Sequence, residues 1–192
     1  MRRSIKVKTP ATLSIMTVAE AKTHLRIDHT YDDDYITALI EVATEYIQEY
    51  TNTFLLTTVI EQYSDTWEGS QYLLKSPYAD IDSIGYFDSN NTFTIWAQTE
   101  YVISKYGAPV RVGLNQDKSY PTLANRLDAV KVAYTVGYSA ADKIPKPLIQ
   151  AAKLLVATYY ENREETIIGK IASVVPNTVK RLLNTYKNQV IE

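Results

Sequence analysis

Few residues in this 192-residue chain are spaced for chemistry. The two histidines, His24 and His29, lie five apart, off a common helical face, and no HExxH pattern holds them. Asp28 beside His29 could serve a metal, but an exposed turn explains the pair more simply. Asp32, Asp33 and Asp34 lack the glycine and the distant bidentate glutamate of a calcium loop, and read as first-turn helix charges. There is no cysteine, which excludes thiol catalysis, a disulfide framework and thiolate-held metals. No GxSxG marks a nucleophile elbow, and the six glycines never form GxGxxG or a phosphate loop. No catalytic residue, metal ligand or cofactor is expected, and the chain does not read as an enzyme.

Charge is the more informative feature. Lys and Arg number 20 against 22 Asp and Glu, a net charge of −2. That total excludes an obvious general binder of DNA or anionic lipid. It hides a segregation: residues 27–74 carry ten acids and no Lys or Arg, between basic ends. Within that block Glu41, Glu45 and Glu49 repeat at i, i+4 and i+8, and Asp34 lies two turns before Glu41. Like charges one helical turn apart are mutually destabilising, so this face is either solvated or has a partner or a repulsive duty. Tyrosine is the other oddity: 16, against 3 Phe and 2 Trp. Tyr46, Tyr50, Tyr159 and Tyr160 sit near apolar stripes and suit a core. Tyr31, Tyr72, Tyr78 and Tyr120 suit subunit or partner contacts.

These residues need elements to carry them. The sequence predicts one α+β domain over 1–192, with a helical core and a β-rich insertion. Thr17 and Glu20 form a capping box for a first helix ending near Asp28. Ile36, Leu39, Ile40, Ala43 and Ile47 make the apolar stripe of a second, which stops at Asn52. Residues 1–16 read as an N-terminal arm, and 54–138 as the insertion. In the insertion, 81–87 and 93–96 form one hairpin, 101–103 and 110–112 another pair, and Val130–Val136 a final alternating strand. Pro145 and Pro147 open a third helix, apolar on nearly every side. It should be the central element, packed on the second helix and the sheet. Residues 163–192 read as a loop and a short last helix, with Val179, Leu182, Leu183 and Tyr186 on one face and Lys180, Arg181 and Lys187 on the others. Such a helix is marginal alone and must dock, on its own domain or on another protein. No stretch approaches the length of a membrane span and no signal-peptide core follows Met1, so a soluble cytoplasmic product is expected.

Three stretches carry a resemblance. Thr17 to Asp28 (TVAEAKTHLRID), with Asp32 to Ile36, Leu39, Ile40 and Ala43, is similar to the opening of phage head–tail connector (adaptor) proteins of the gp6-like type. Val130 to Tyr138, then Ile144 to Glu164 with its YYENRE, resembles their "V.Y.aGY…vP…YENRE". Val175 to Lys187 resembles their closing segment. The middle is similar in pattern only. The resemblance implies a helical core with a β-rich insertion, and a ring, commonly dodecameric, beneath the portal protein at the capsid vertex. Such a ring extends the DNA channel without sequence-specific binding and offers a platform to stopper, head-completion or tail proteins. It implies a virion protein of the neck, assembled in the host bacterial cytoplasm. On that reading Asp34, Glu41, Glu45 and Glu49 would face the channel or a neighbouring subunit. Val179, Lys180, Arg181, Leu182, Leu183, Tyr186 and Lys187 would dock on the portal. A DNA-packaging protein or another neck or tail-completion protein is the alternative.

Overall fold

A computed structural model describes residues 3–107, 109–163 and 176–188. The chain, expected as one domain, divides into two compact units. The described residues of Thr12–Leu56 and Tyr138–Asn188 form one, which is helical; the described residues of Met1–Ala11 and Thr57–Gly137 form the other.

In the helical unit, α1 (Val18–Leu25) starts at the predicted capping box. The Glu20 amide donates to the Thr17 hydroxyl at 3.2 Å, and the Thr17 amide donates to the Glu20 carboxylate at 2.8 Å. Two of the amides a helix start leaves open are thereby satisfied. The Glu20 carboxyl is held below its usual range, chiefly by the Thr17 amide. α2 (Asp33–Thr51) ends at Asn52, which adopts the left-handed conformation (φ 55°) that asparagine tolerates better than most residues. α3 (Lys146–Glu161) carries Pro147 in its first turn, where a missing N–H costs little. α4 (Asn177–Asn184) is short.

The inner stripe of α2, Ile36, Leu39, Ile40, Ala43 and Ile47, is buried as the periodicity predicts. Leu148, Ala151, Ala152, Leu155 and Val156 of α3 join it in one cluster. α3 packs on α2 and also on α1 and α4. Its buried cluster also takes in adjoining Ile15, Met16, Leu55, Leu56 and Ile144.

The strand unit contains β1 (Arg3–Thr9), β2 (Thr58–Ser64), β3 (Gln71–Tyr72), β4 (Tyr78–Phe87), β5 (Phe93–Ile95), β6 (Tyr101–Ser104), β7 (Arg111–Leu114) and β8 (Val130–Val136). β1-β2-β8-β4-β5 form one antiparallel sheet and β3-β7-β6 another. β8 lies at the centre, where Val130, Val132, Tyr134 and Val136 are buried and Lys131 and Thr135 are not. The β4–β5 hairpin turns on Asp88, whose carboxylate accepts from the Asn90 and Thr92 amides at 2.9 and 3.0 Å. Gly85 lets the Phe93 ring lie on the strand: a Cβ there would meet that ring at 2.4 Å. The expected arm holds β1, an edge strand paired with β2. Its Ile5 and Val7 alternate with Lys6 and Lys8, a run too short and too charged to announce a strand on its own.

Candidate assembly surfaces

Asp34, Glu41, Glu45 and Glu49 are exposed along the outer face of α2. Ala38 and Val42 share that face, Val42 at 48% exposure. At 1.5 Å per residue the acidic stripe is about 22 Å long. No ion pair neutralises the four carboxylates among the described residues. Repulsion between neighbours costs roughly 0.2–0.5 kcal/mol per pair. Each buried Ile or Leu on the opposite side contributes about 1.5–3 kcal/mol, so the helix tolerates the stripe easily.

α4 is placed differently from the portal-docking expectation. Val179 and Leu183 are fully buried in the helical core, with Leu182 and Tyr186 packed against it. The Tyr50 hydroxyl donates to Asn184 Oδ1 at 2.7 Å, and the Asn188 amide donates to the Thr51 carbonyl at 2.7 Å. An eight-residue helix gains stability only by docking, and here it docks on its own unit. What it leaves outward is charge: Arg181 and Lys187 are exposed and Lys180 is half-buried. Of the predicted loop and docking segment 163–192, residues 164–175 and 189–192 lie outside the described residues.

A polar cluster at the end of α3 was not foreseen. The Tyr160 hydroxyl donates to Asp32 Oδ2 at 2.5 Å, and the Arg163 guanidinium reaches the same oxygen at 3.0 Å. That guanidinium lies 4.6 Å from the Tyr35 ring centre and 4.7 Å from that of Tyr160. The Tyr160 hydroxyl, with Arg163 behind it, holds the Asp32 carboxyl below its usual range; the same hydrogen bond pushes the Tyr160 phenol up. Asp32 was expected in the first turn of α2. It stands at the N-cap position instead, with its carboxylate spent on α3 rather than on a backbone amide. The partners are 128 residues apart, so no local spacing announces them.

The tyrosines divide by environment. Tyr46, Tyr50, Tyr159 and Tyr160 pack against the helical core, as their stripe positions imply. Tyr31 is 92% exposed, whereas Tyr72 and Tyr78 are half-buried. Tyr120, expected at a partner surface, stacks on Trp67 (centroids 5.2 Å apart, 22° between planes) and donates to the Gly69 carbonyl at 3.1 Å. It belongs to the aromatic core of the strand unit. A tyrosine not singled out by the sequence, Tyr106, is fully exposed on the β6–β7 hairpin between exposed Lys105 and Arg111. Its only signal was its position between two strand patterns, beside Gly107.

Among the described residues no three His, Asp or Glu gather to hold a metal ion, and no helix is long and apolar enough to cross a membrane.

By architecture the chain is an α+β protein, with a helical unit and two antiparallel sheets. It is similar to a chain in the neck of an empty gene transfer agent (GTA) particle computed with C6 symmetry, with a TM-score of 0.77 and 20% identity over 100% of this chain and 98% of that one. It is similar, at TM-score 0.75 and 20% identity, to one in the neck of a native GTA particle computed with C12 symmetry, over 100% of this chain and 98% of that one. A chain in the virion of a native gene transfer agent matches at TM-score 0.77 and 20% identity, over 98% of this chain and 97% of that one. No curated protein matches it. Residues 14–189 match the head completion protein family, and the chain belongs to that family. Its role is that of a structural component in completing the head of a phage-like particle.

Proposed function

We propose that this chain is one subunit of a ring in the neck of a phage-like particle. The ring sits beneath the portal protein, extends the channel through which DNA passes, and offers a platform to stopper or tail proteins. This is the adaptor role within head completion. The carrying observation is the family match over 14–189, supported by a fold shared from end to end with chains in particle necks computed with C6 and C12 symmetry. Copies assemble in the host bacterial cytoplasm and remain in the virion neck. The acidic α2 face serves the channel or a neighbouring subunit, where it does not hold DNA phosphates. Because Val179 and Leu183 are already in the core, the basic side of α4 is what remains for the portal.

Native mass spectrometry of the protein, alone and with portal, tests this. A ring, or a monomer that becomes a ring on portal, is expected; a monomer with no affinity for portal overturns the reading. Deleting α4 would damage the core, so the docking surface is better tested by charge. Lys180→Glu with Arg181→Glu and Lys187→Glu should leave the circular dichroism unchanged and abolish portal attachment. Normal attachment would remove α4 from the portal interface.

A further inference from the structure

A closed ring is built by heterologous contacts, in which each subunit offers two different, complementary surfaces, one to each neighbour. Resting on the ring reading, we propose that the β6–β7 hairpin tip of one copy seats on the outer face of α2 in the next copy. Tyr106 lies across Ala38 and Val42, and Lys105 and Arg111 meet Glu41 and Glu45.

Four observations converge on this pairing. Tyr106 is 102% exposed, an aromatic ring with no partner in its own chain among the described residues. Residues 101–116 contain Lys105 and Arg111 and no acid, so the hairpin is locally cationic. Neither cation has a carboxylate at ion-pair distance among the described residues; Lys105 only lies 5.3 Å over the Tyr78 ring. The α2 face supplies the complement: a 48%-exposed Val42 and an exposed Ala38 beside carboxylates with no ion pair among the described residues. Binding energy in interfaces concentrates in Tyr and Arg seated on apolar ground, with charges at the rim fixing orientation.

Other basic surfaces of the chain fit this face less well. Arg126 is engaged with the Phe87 ring at 3.7 Å and with Asn91. Lys131 is paired with Glu61 at 3.4 Å. The outward side of α4 is basic but presents no exposed apolar residue. Of these surfaces, the hairpin is the one that joins an exposed aromatic ring to cations with no ion pair among the described residues.

The test uses the absence of cysteine from the chain. A protein carrying both Gly107→Cys, beside the Tyr106 ring where an added Cβ meets nothing within 4 Å, and Ala38→Cys, treated with a short bis-maleimide, should give a ladder of covalent oligomers ending at the ring. An equal mixture of the two single variants should stop at dimers. Lys105→Glu with Arg111→Glu should weaken assembly roughly tenfold or more, and added Glu41→Lys with Glu45→Lys should restore it. Rings that form in native mass spectrometry without cross-linking, and that ignore both charge changes, overturn this interface and leave the ring reading standing. A chain that stays monomeric even with portal overturns both. If reversing the hairpin charges leaves rings intact but releases DNA from particles, the tip meets nucleic acid and the interface is wrong.

Discussion

In the helical unit the buried surface is almost wholly aliphatic: Ile36, Ile40, Ile47, Leu148, Leu155 and Leu183 are each no more than 2% exposed. In the strand unit, aromatic and polar side chains share the interior. Trp67 lies 4.8 Å from Trp96 and 5.2 Å from Tyr120, and its indole N–H donates to the Pro121 carbonyl at 2.9 Å. Buried Gln62 accepts from the Leu74 amide and from the Tyr134 hydroxyl, both at 3.0 Å, and donates to the Tyr72 carbonyl at 2.8 Å. The first core is held by volume, which any well-fitting apolar side chain supplies. The second is held partly by direction, since a buried polar group is tolerable only while its hydrogen bonds are made. The difference suits one unit to tolerate drift in sequence and the other to hold a single geometry.

The largest effect should come from volume. Leu155→Ala should cost about 2–5 kcal/mol in chemical denaturation, because it opens a cavity in the helical core. Leu155→Met, which keeps most of the volume, should cost less than about 1.5 kcal/mol. Gln62→Leu asks the opposite question. It makes the strand interior more apolar, yet it should destabilise by about 2 kcal/mol, because three hydrogen bonds go at once. A neutral or stabilising Gln62→Leu would collapse the distinction between the two cores.

The same distinction governs what could be read from sequence. The α2 stripe, the capping box at Thr17 and the Asn52 stop are local patterns of period 3.6 or of adjacent residues, and the structure has them where they were expected. So are the 81–87 and 93–96 hairpin and the β8 alternation. What was missed depends on distant partners. β1 becomes a strand by pairing with β2, from Arg3 opposite Ser64 to Thr9 opposite Val59, partners 61 to 50 positions apart. Asp32 is captured by Tyr160 and Arg163, and Tyr120 by Trp67, for the same reason. The candidate surfaces were half legible. The α2 carboxylates stand out because four acids without a cation are visible in one dimension. Tyr106 does not, because exposure depends on which loop reaches outward.

Local capping should matter less than either core. Thr17→Ala removes the acceptor for the Glu20 amide and should cost about 1 kcal/mol, confined to the helical unit. Hydrogen exchange would see faster opening of α1 with α2 and α3 little changed. An equal loss of protection in the strand unit would show that the two units unfold together.

The smallest effects should come from titration, and they sharpen the comparison from the polar side. Glu61, in β2, accepts from the Tyr63 hydroxyl at 2.7 Å and from Lys131 at 3.4 Å. The Tyr63 hydroxyl bond lowers the Glu61 carboxyl from its ordinary 4.5 against an opposing push from burial, and Lys131 adds to the lowering. A carboxylate lowered in the folded state contributes stability that is present above pH 4.5 and lost as pH falls through the lowered value. Tyr63 is raised from 10.0 to about 12, by burial first and Glu61 second. Its contribution is present below pH 10 and lost as pH rises toward about 12. Tyr63→Phe should therefore flatten both limbs of the strand unit's stability profile, removing the Tyr63 share of the alkaline loss, leaving that of Tyr78 and Tyr134, and returning Glu61 toward its ordinary value. Asp32→Asn should flatten the acid limb of the helical unit and, by releasing the Tyr160 phenol, part of its alkaline limb, both by less, because the Arg163 side chain it faces is 49% exposed and water screens the pair. The two variants, followed by denaturation between pH 3 and 11, separate a hydrogen bond made inside a sheet from one made at a surface. If Asp32→Asn proves the larger, the polar cluster at the end of α3 carries more of the fold than the strand interior does.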